Sequence, residues 1–188
     1  MPIELRHATV DDASSMAQLA NLAGEGLPEA IWRGSAQQNE TPIDVGTRAA
    51  ASESGIFSWK NAVVAELDGE IAGLVVSHLT GAKEVPLSED THPILRPLTV
   101  LENKALETRH VNLLATFKAF RGRGVAHMLM EHAISRPGAN GVSVIATDQN
   151  SYGVRFYEDL GFSQKAQAPV IKTNWNTASQ TWYLMQKP

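Results

Sequence analysis

Between residues 110 and 160 the hydrophobic period of the chain changes three times. HVNLLATF (110–117) reads as a strand, 124–135 as a helix, VSVIAT (142–147) as a strand and 150–160 as a helix. Strands and helices mixed in this order imply helices packed on a sheet, an α/β or α+β layer.

The flanks extend the same pattern. Residues 3–8 (IELRHA) alternate as a first strand, and Thr9-Val-Asp-Asp12 forms a capping box ahead of Ala13, Met16, Ala17 and Ala20 at helical spacing. Thr41-Pro42-Ile-Asp44 repeats the start signal for a short helix to about Ser52. AVVAEL (62–67), Asp68-Gly69 and EIAGLVVSHL (70–79) spell a hairpin. GEGLPEAIW reads as a loop, and 80–108, with Pro86, Pro93 and Pro97, as an insertion whose TVLENKAL stretch predicts about two helical turns. Strands near 162–171 and at 180–186 complete seven. With 188 residues and no linker or repeat, a single domain over 1–188 is expected.

Composition narrows the chemistry. Cysteine is absent, which excludes disulfides, thiolate metal sites and an acyl-cysteine intermediate on this chain. The six histidines show no metal-ligand spacing, so no metal is expected. A net charge of −4 and a pI near 5.8 argue against nucleic acid, whose binding normally needs a basic surface. No run approaches the ~18 apolar residues that span a bilayer, and MPIELRHATVDDA carries charges where a signal peptide needs an apolar stretch. These point to a cytoplasmic protein with no membrane partner. The four tryptophans, Trp32, Trp59, Trp175 and Trp182, are scattered and read as packing residues.

The segment most able to hold a ligand is Phe120-Arg121-Gly122-Arg123-Gly124-Val125-Ala126-His127, directly before the 124–135 helix. A P-loop string occurs nowhere, and the dinucleotide fingerprint fails because His127 stands where its third glycine belongs. The pattern [Q/R]-x-x-G-x-[G/A] is satisfied by Arg121 to Ala126. Small residues there let a diphosphate approach the backbone, and amides at the helix start point at the anion. A solvated glycine turn between surface arginines is the alternative for this string taken alone. Val125, Met128, Leu129 and Ile134 give the helix its buried side.

One strand downstream lies Asn150-Ser-Tyr-Gly-Val-Arg-Phe-Tyr157-Glu-Asp-Leu-Gly161-Phe162. The two motifs together, over roughly 110–162, resemble the GNAT family of N-acetyltransferases. The resemblance implies a GNAT fold: a central mixed, mostly antiparallel sheet with helices on both faces, and a splayed strand that pairs with the pantetheine arm of acetyl-CoA. The matching strand positions are Leu114, Ala115 and Thr116. The pyrophosphate is expected on amides from Gly122 through Arg123, Gly124, Val125 and Ala126 to His127, with Arg121 opening the motif. Asn150 matches the asparagine that contacts the cofactor, and Tyr157 the tyrosine beside its sulfur.

The implied reaction is acetyl transfer from acetyl-CoA to a primary amine of a small molecule or peptide, by direct attack with both substrates bound. Amides around Thr116 would hold the developing oxyanion, and Tyr157 would protonate the leaving thiolate. The chain departs from the family pattern at Thr116 and Lys118, where valine and proline are common, and at Ile145, where some members carry a glutamate base. Glu107, His110, His78 or water are left as candidate bases. Glu25, Glu29, Glu84, Glu89 and Asp90 could meet a cationic acceptor or be solvated loop charges. Tyr157 could also be plain core, Asn150 only a helix cap, and Gly161-Phe162 a structural closure. A CoA-binding module without catalysis, or an acyltransferase with another acyl donor, stays open, as does a homodimer.

Overall fold

The computed structural model describes residues 2–89 and 91–188. Seven strands form one sheet: β1 (Glu4–His7), β2 (Ala62–Leu67), β3 (Glu70–Leu79), β4 (Arg109–Thr116), β5 (Val142–Thr147), β6 (Ser163–Pro169) and β7 (Thr181–Lys187), in the order β1-β2-β3-β4-β5-β7-β6. β1 with β2, β2 with β3, β5 with β7 and β6 with β7 are antiparallel, whereas β4 and β5 run parallel. The mixed, mostly antiparallel sheet expected from sequence is therefore present. The helices are α1 (Ala13–Ala23), α2 (Leu27–Arg33), α3 (Pro42–Ala50), α4 (Arg96–Glu102), α5 (Val125–Ile134) and α6 (Ser151–Asp159).

Two compact units are distinguished by their internal contacts: Met1–Ser77 with Asn112–Ser135, and His78–Val111 with Arg136–Pro188. In the first, Met16 and Leu19 of α1 and Ala50 of α3 pack with Val64, Leu74 and Val76 of the hairpin and Ala115 of β4. Each large apolar side chain so buried contributes about 1.5–3 kcal/mol. Asp12 starts α1: its carboxylate accepts from the Thr9 amide at 2.7 Å and from Arg6 at 2.7 Å, and the Arg6 guanidinium holds it below the usual carboxylate range. At α3 the box closes both ways, Asp44 N to Thr41 Oγ1 at 3.2 Å and Thr41 N to Asp44 Oδ2 at 2.8 Å.

Gly73 sets the spacing in this unit. A Cβ on it would stand 2.7 Å from Ala115 O of β4 and 2.7 Å from Val125 Cγ1 of α5, so strand and helix approach β3 as closely as they do because no side chain is there. On α5 the buried residues are Val125, Leu129, Met130 and Ala133; Met128 and Ile134 are only half-buried, a shift from the face read in the sequence.

The second unit buries Leu101 of α4, Val111, Val142, Val144, Leu184 and Met185, and stacks Trp175 on Trp182 with ring centroids 5.6 Å apart. Two elements differ from expectation. GEGLPEAIW contains helix α2, because Pro28 sits in its first turn, Glu29 pairs with Arg33 one turn on at 2.9 Å, and Gly26 caps it in the left-handed region. Helix α4 begins at Arg96 and ends at Glu102, about one turn earlier than TVLENKAL suggests, with Pro97 in its first turn. Among the described residues no helix is long and apolar enough to cross a membrane.

Candidate functional site

β4 delivers the chain to the glycine turn. Its parallel register with β5 covers Arg109, His110 and Val111, opposite Val142, Ser143 and Val144; residues 112–116 have no register partner in β5. Leu114 is half-buried on this stretch, and Ala115 and Thr116 are buried. The Thr116 hydroxyl is buried without a hydrogen-bond partner, while its carbonyl accepts from Arg121 Nε at 3.4 Å.

After a 3₁₀ turn over Lys118–Phe120, Gly122 and Gly124 take φ of 75° and 86°. Side chains rarely adopt that conformation. The space beside these glycines is open as well: a Cβ at Gly122 meets nothing within 4 Å, and one at Gly124 only Ile3 Cδ1 at 3.9 Å. Gly124 is the N-cap of α5 and offers no side chain to the first-turn amides, which belong to Val125, Ala126 and His127. Buried Val125 anchors the helix, and Gly122 and Gly124 remain exposed.

The basic side chains divide their duties. Arg123 reaches Asp68 of the hairpin turn at 3.2 Å and lies over the Phe120 ring at 5.8 Å. His127 pairs with Glu131 at 3.1 Å. Lys118 and Arg121 are exposed beside the turn.

The second motif lies in the other unit. Asn150 caps α6, its Oδ1 accepting from Gly153 N at 2.9 Å. Tyr157 is buried, with its ring 5.9 Å from that of Phe162, and burial pushes its phenol up to about 12. Gly161 (φ 88°) and Phe162 close the helix, Phe162 N donating to Tyr157 O at 3.0 Å. Sequence motifs therefore fall in two groups: 114–127 in one unit, Asn150 and Tyr157 in the other.

The candidate bases separate by environment. Glu107 is exposed, at φ 57°. His110 is 1% exposed, and burial, with His78 nearby, pushes its imidazole down to about 3. Burial and Arg109 also lower His78. Ile145, opposite Leu184 in the sheet, brings no acid. One group went unread in the sequence: Glu102, the last residue of α4, whose carboxyl burial raises to about 6 and whose Oε1 lies 3.9 Å from His110 Nε2. Nothing in TVLENKAL marks it out, because its raised pKa is set by burial in the folded unit.

Of the acids proposed to meet a cation, Glu29 is held by Asn21 at 3.1 Å and Arg33 at 2.9 Å, and Glu84 and Glu89 are exposed. Glu25 lies at φ 52° beside Gly26, and Asp90 lies outside the described residues. Among the described residues no group of three or more His, Asp or Glu side chains is arranged to hold a metal ion.

A β-strand leading through a bare, left-handed glycine turn into a helix, within this sheet order, defines an acetyltransferase architecture. Residues 58–164 match the Acetyltransferase (GNAT) domain, and the chain belongs to that family. No curated protein matches it. Among solved structures, it is similar to an N-acetyltransferase from Staphylococcus aureus Mu50 (15% identity, 97% of this chain and 98% of that one, TM-score 0.66). It also resembles mosquito arylalkylamine N-acetyltransferase like 5b (15%, 99% and 99%, TM-score 0.65) and a chain of the NatC complex bound to Gag peptide and CoA (16%, 100% and 99%, TM-score 0.57). At these identities the likeness is one of fold.

Proposed function

We propose that the protein is an acetyl-CoA-dependent N-acetyltransferase acting on a primary amine of a small molecule or peptide, by direct attack with both substrates bound. The observation that carries the reading is the turn: Gly122 and Gly124 leave open space before α5, whose first-turn amides have no side-chain cap. An anion at such a helix start is held by N–H groups and the helix dipole together. The residues fit the diphosphate of CoA. Residues 112–116, lacking a register partner in β5, fit its amide-bearing arm.

Acetyl-CoA supplies an acetyl group activated as a thioester. The amides of Gly122 through His127 bind the diphosphate, with Arg121 and Lys118 adding positive charge. Leu114, Ala115 and Thr116 offer backbone groups to the arm, and amides around Thr116 hold negative charge that develops on the carbonyl oxygen. Asn150 starts the helix that carries Tyr157. The Tyr157 phenol, protonated throughout the neutral range, donates toward the departing sulfur. Its raised pKa makes it a weaker acid than a free phenol, so its service is hydrogen-bond donation more than early proton release.

Thermal unfolding with and without ligands tests the reading. Acetyl-CoA and CoA should raise the melting temperature, equivalent to about 2.7 kcal/mol at a hundredfold excess over Kd, whereas ATP and NAD should not. Free-thiol release from acetyl-CoA should then depend on an amine from a panel of polyamines, amino acids, aminoglycosides and peptide N-termini. Stabilisation by ATP or NAD but not by CoA refutes the assignment. Stabilisation by CoA with no amine-dependent release leaves a CoA-binding module.

A further inference from the structure

We propose that Arg123 changes partners when the acyl donor binds: its guanidinium leaves the Asp68 carboxylate for a phosphate of CoA, and Asp68 is the positioning residue that sets how tightly that phosphate is held. This rests on the acyltransferase reading above. Every residue involved lies in the first compact unit. Arg123 stands between Gly122 and Gly124, so its backbone belongs to the turn read as the diphosphate site. Its side chain runs to the β2–β3 hairpin, where Nη2 lies 3.2 Å from Asp68 Oδ2, and its guanidinium lies over the Phe120 ring at 5.8 Å.

The hairpin is held against the start of α5. A Cβ on Gly73 of β3 would stand 2.7 Å from Cγ1 of Val125, the first residue of that helix, so strand and helix start are packed together. Asp68 and Gly69 turn the hairpin at φ 58° and 80°, the left-handed pair of an Asp-Gly turn. The carboxylate and the arginine are thus carried on two turns that the packing of β3 and α5 brings side by side. Each side chain is 43% exposed, which leaves the pair open to an incoming anion.

Exposure also decides which partner wins. An ion pair of this kind is worth little in water, because hydration and side-chain freedom are given up to make it. A guanidinium presents its N–H donors in a fork that matches phosphate as well as carboxylate. A diphosphate carries more charge than one carboxylate and is already anchored by the α5 amides, so Arg123 gains by moving to it. Asp68, left behind, opposes the anion with like charge. One arginine side chain separates it from the turn backbone, a span comparable with the Debye length of ~10 Å at 0.1 M salt. Asp68 therefore weakens the grip twice, by claiming Arg123 and by repulsion. CoA must leave after each acetyl transfer, and the return of Arg123 to Asp68 favours that step.

Calorimetric titration with CoA over a double-mutant cycle tests the exchange. Asp68→Asn is a clean change, because Asn-Gly satisfies the same left-handed turn as Asp-Gly, and the ligand-free melting temperature should barely move. It should tighten CoA about 2- to 5-fold at low salt, within the range of an exposed ion pair, and the gain should fade at high salt. Arg123→Gln should weaken CoA by roughly tenfold, and in that background Asp68→Asn should bring a smaller gain than in the wild type. Pantetheine, which lacks phosphate, should bind the wild type and both variants alike. Dephospho-CoA sorts the phosphates: a gain retained with it assigns Arg123 to the diphosphate, and a gain lost assigns it to the phosphate on the ribose. Unchanged or weaker CoA binding in Asp68→Asn overturns the exchange, and so does an equal gain with and without Arg123, which leaves only repulsion by the carboxylate. A lower ligand-free melting temperature with CoA affinity unchanged makes the pair a structural tie. A wild type that binds no CoA refutes the acyltransferase reading itself, and the exchange falls with it.

Discussion

Glu102 and His110 make opposite demands on stability between pH 6.5 and 4.5. The folded pKa of His110, about 3, lies below the ordinary 6.5. Its contribution is therefore present above 6.5 and lost as pH falls, because only the unfolded chain binds the proton. At about 1.36 kcal/mol per pH unit, two units of acidification remove about 2.7 kcal/mol. Glu102 is raised from 4.5 to about 6. Its sign is reversed: it costs stability above 6, and acidification from 6 to 4.5 returns about 2 kcal/mol. The two nearly cancel, so the wild type should be almost flat across this window as far as these groups are concerned. Glu102→Gln should lose about 2.7 kcal/mol on going from pH 6.5 to 4.5, and His110→Asn should gain about 2 kcal/mol. Urea denaturation at each pH measures all three profiles. Asp12, held low by Arg6, and His78, lowered by burial, are common to the wild type and Glu102→Gln and drop out of the comparison between them. Parallel profiles for the wild type and Glu102→Gln would falsify the raised carboxyl.

The remaining expectations concern the turn, the phenol and the spacing of the sheet. Gly124→Asp places a carboxylate in the left-handed position before α5, and calorimetric titration should show CoA affinity lost while circular dichroism is unchanged. Near-wild-type binding removes the diphosphate role. Tyr157→Phe keeps the buried ring; turnover should drop by roughly 10²-fold with melting temperature and CoA affinity nearly constant, whereas a lower melting temperature with turnover intact assigns the hydroxyl to structure. Gly73→Ala forces a methyl against Ala115 O and Val125 Cγ1 and should cost about 1–3 kcal/mol by chemical denaturation; a neutral effect means β4 and α5 can yield.

Much of the fold was legible because local chemistry and tertiary placement agree. Asp68-Gly69, at φ 58° and 80°, turns the hairpin as its sequence demands, and the caps at Thr9, Thr41 and Gly161 lie where the residue types place them. The glycine turn was readable for the same reason: its conformation is a property of Gly122 and Gly124 themselves. Helix α2 was hidden because glycine and proline at its start look like loop signals until the helix begins. The end of the β4–β5 register at Val111 left no trace in HVNLLATF, whose apolar run continues beyond it. Glu102 was invisible for a different reason. Its raised proton affinity comes from burial, which no neighbouring residue type in the sequence announces.

β4 is an interior strand of the sheet order, yet residues 112–116 have no register partner in β5. Unpaired strand backbone is a template for further β-pairing, and proteins guard such edges against self-association. A ligand that lies along it would therefore also act as a guard, filling backbone valences that another polypeptide could otherwise take.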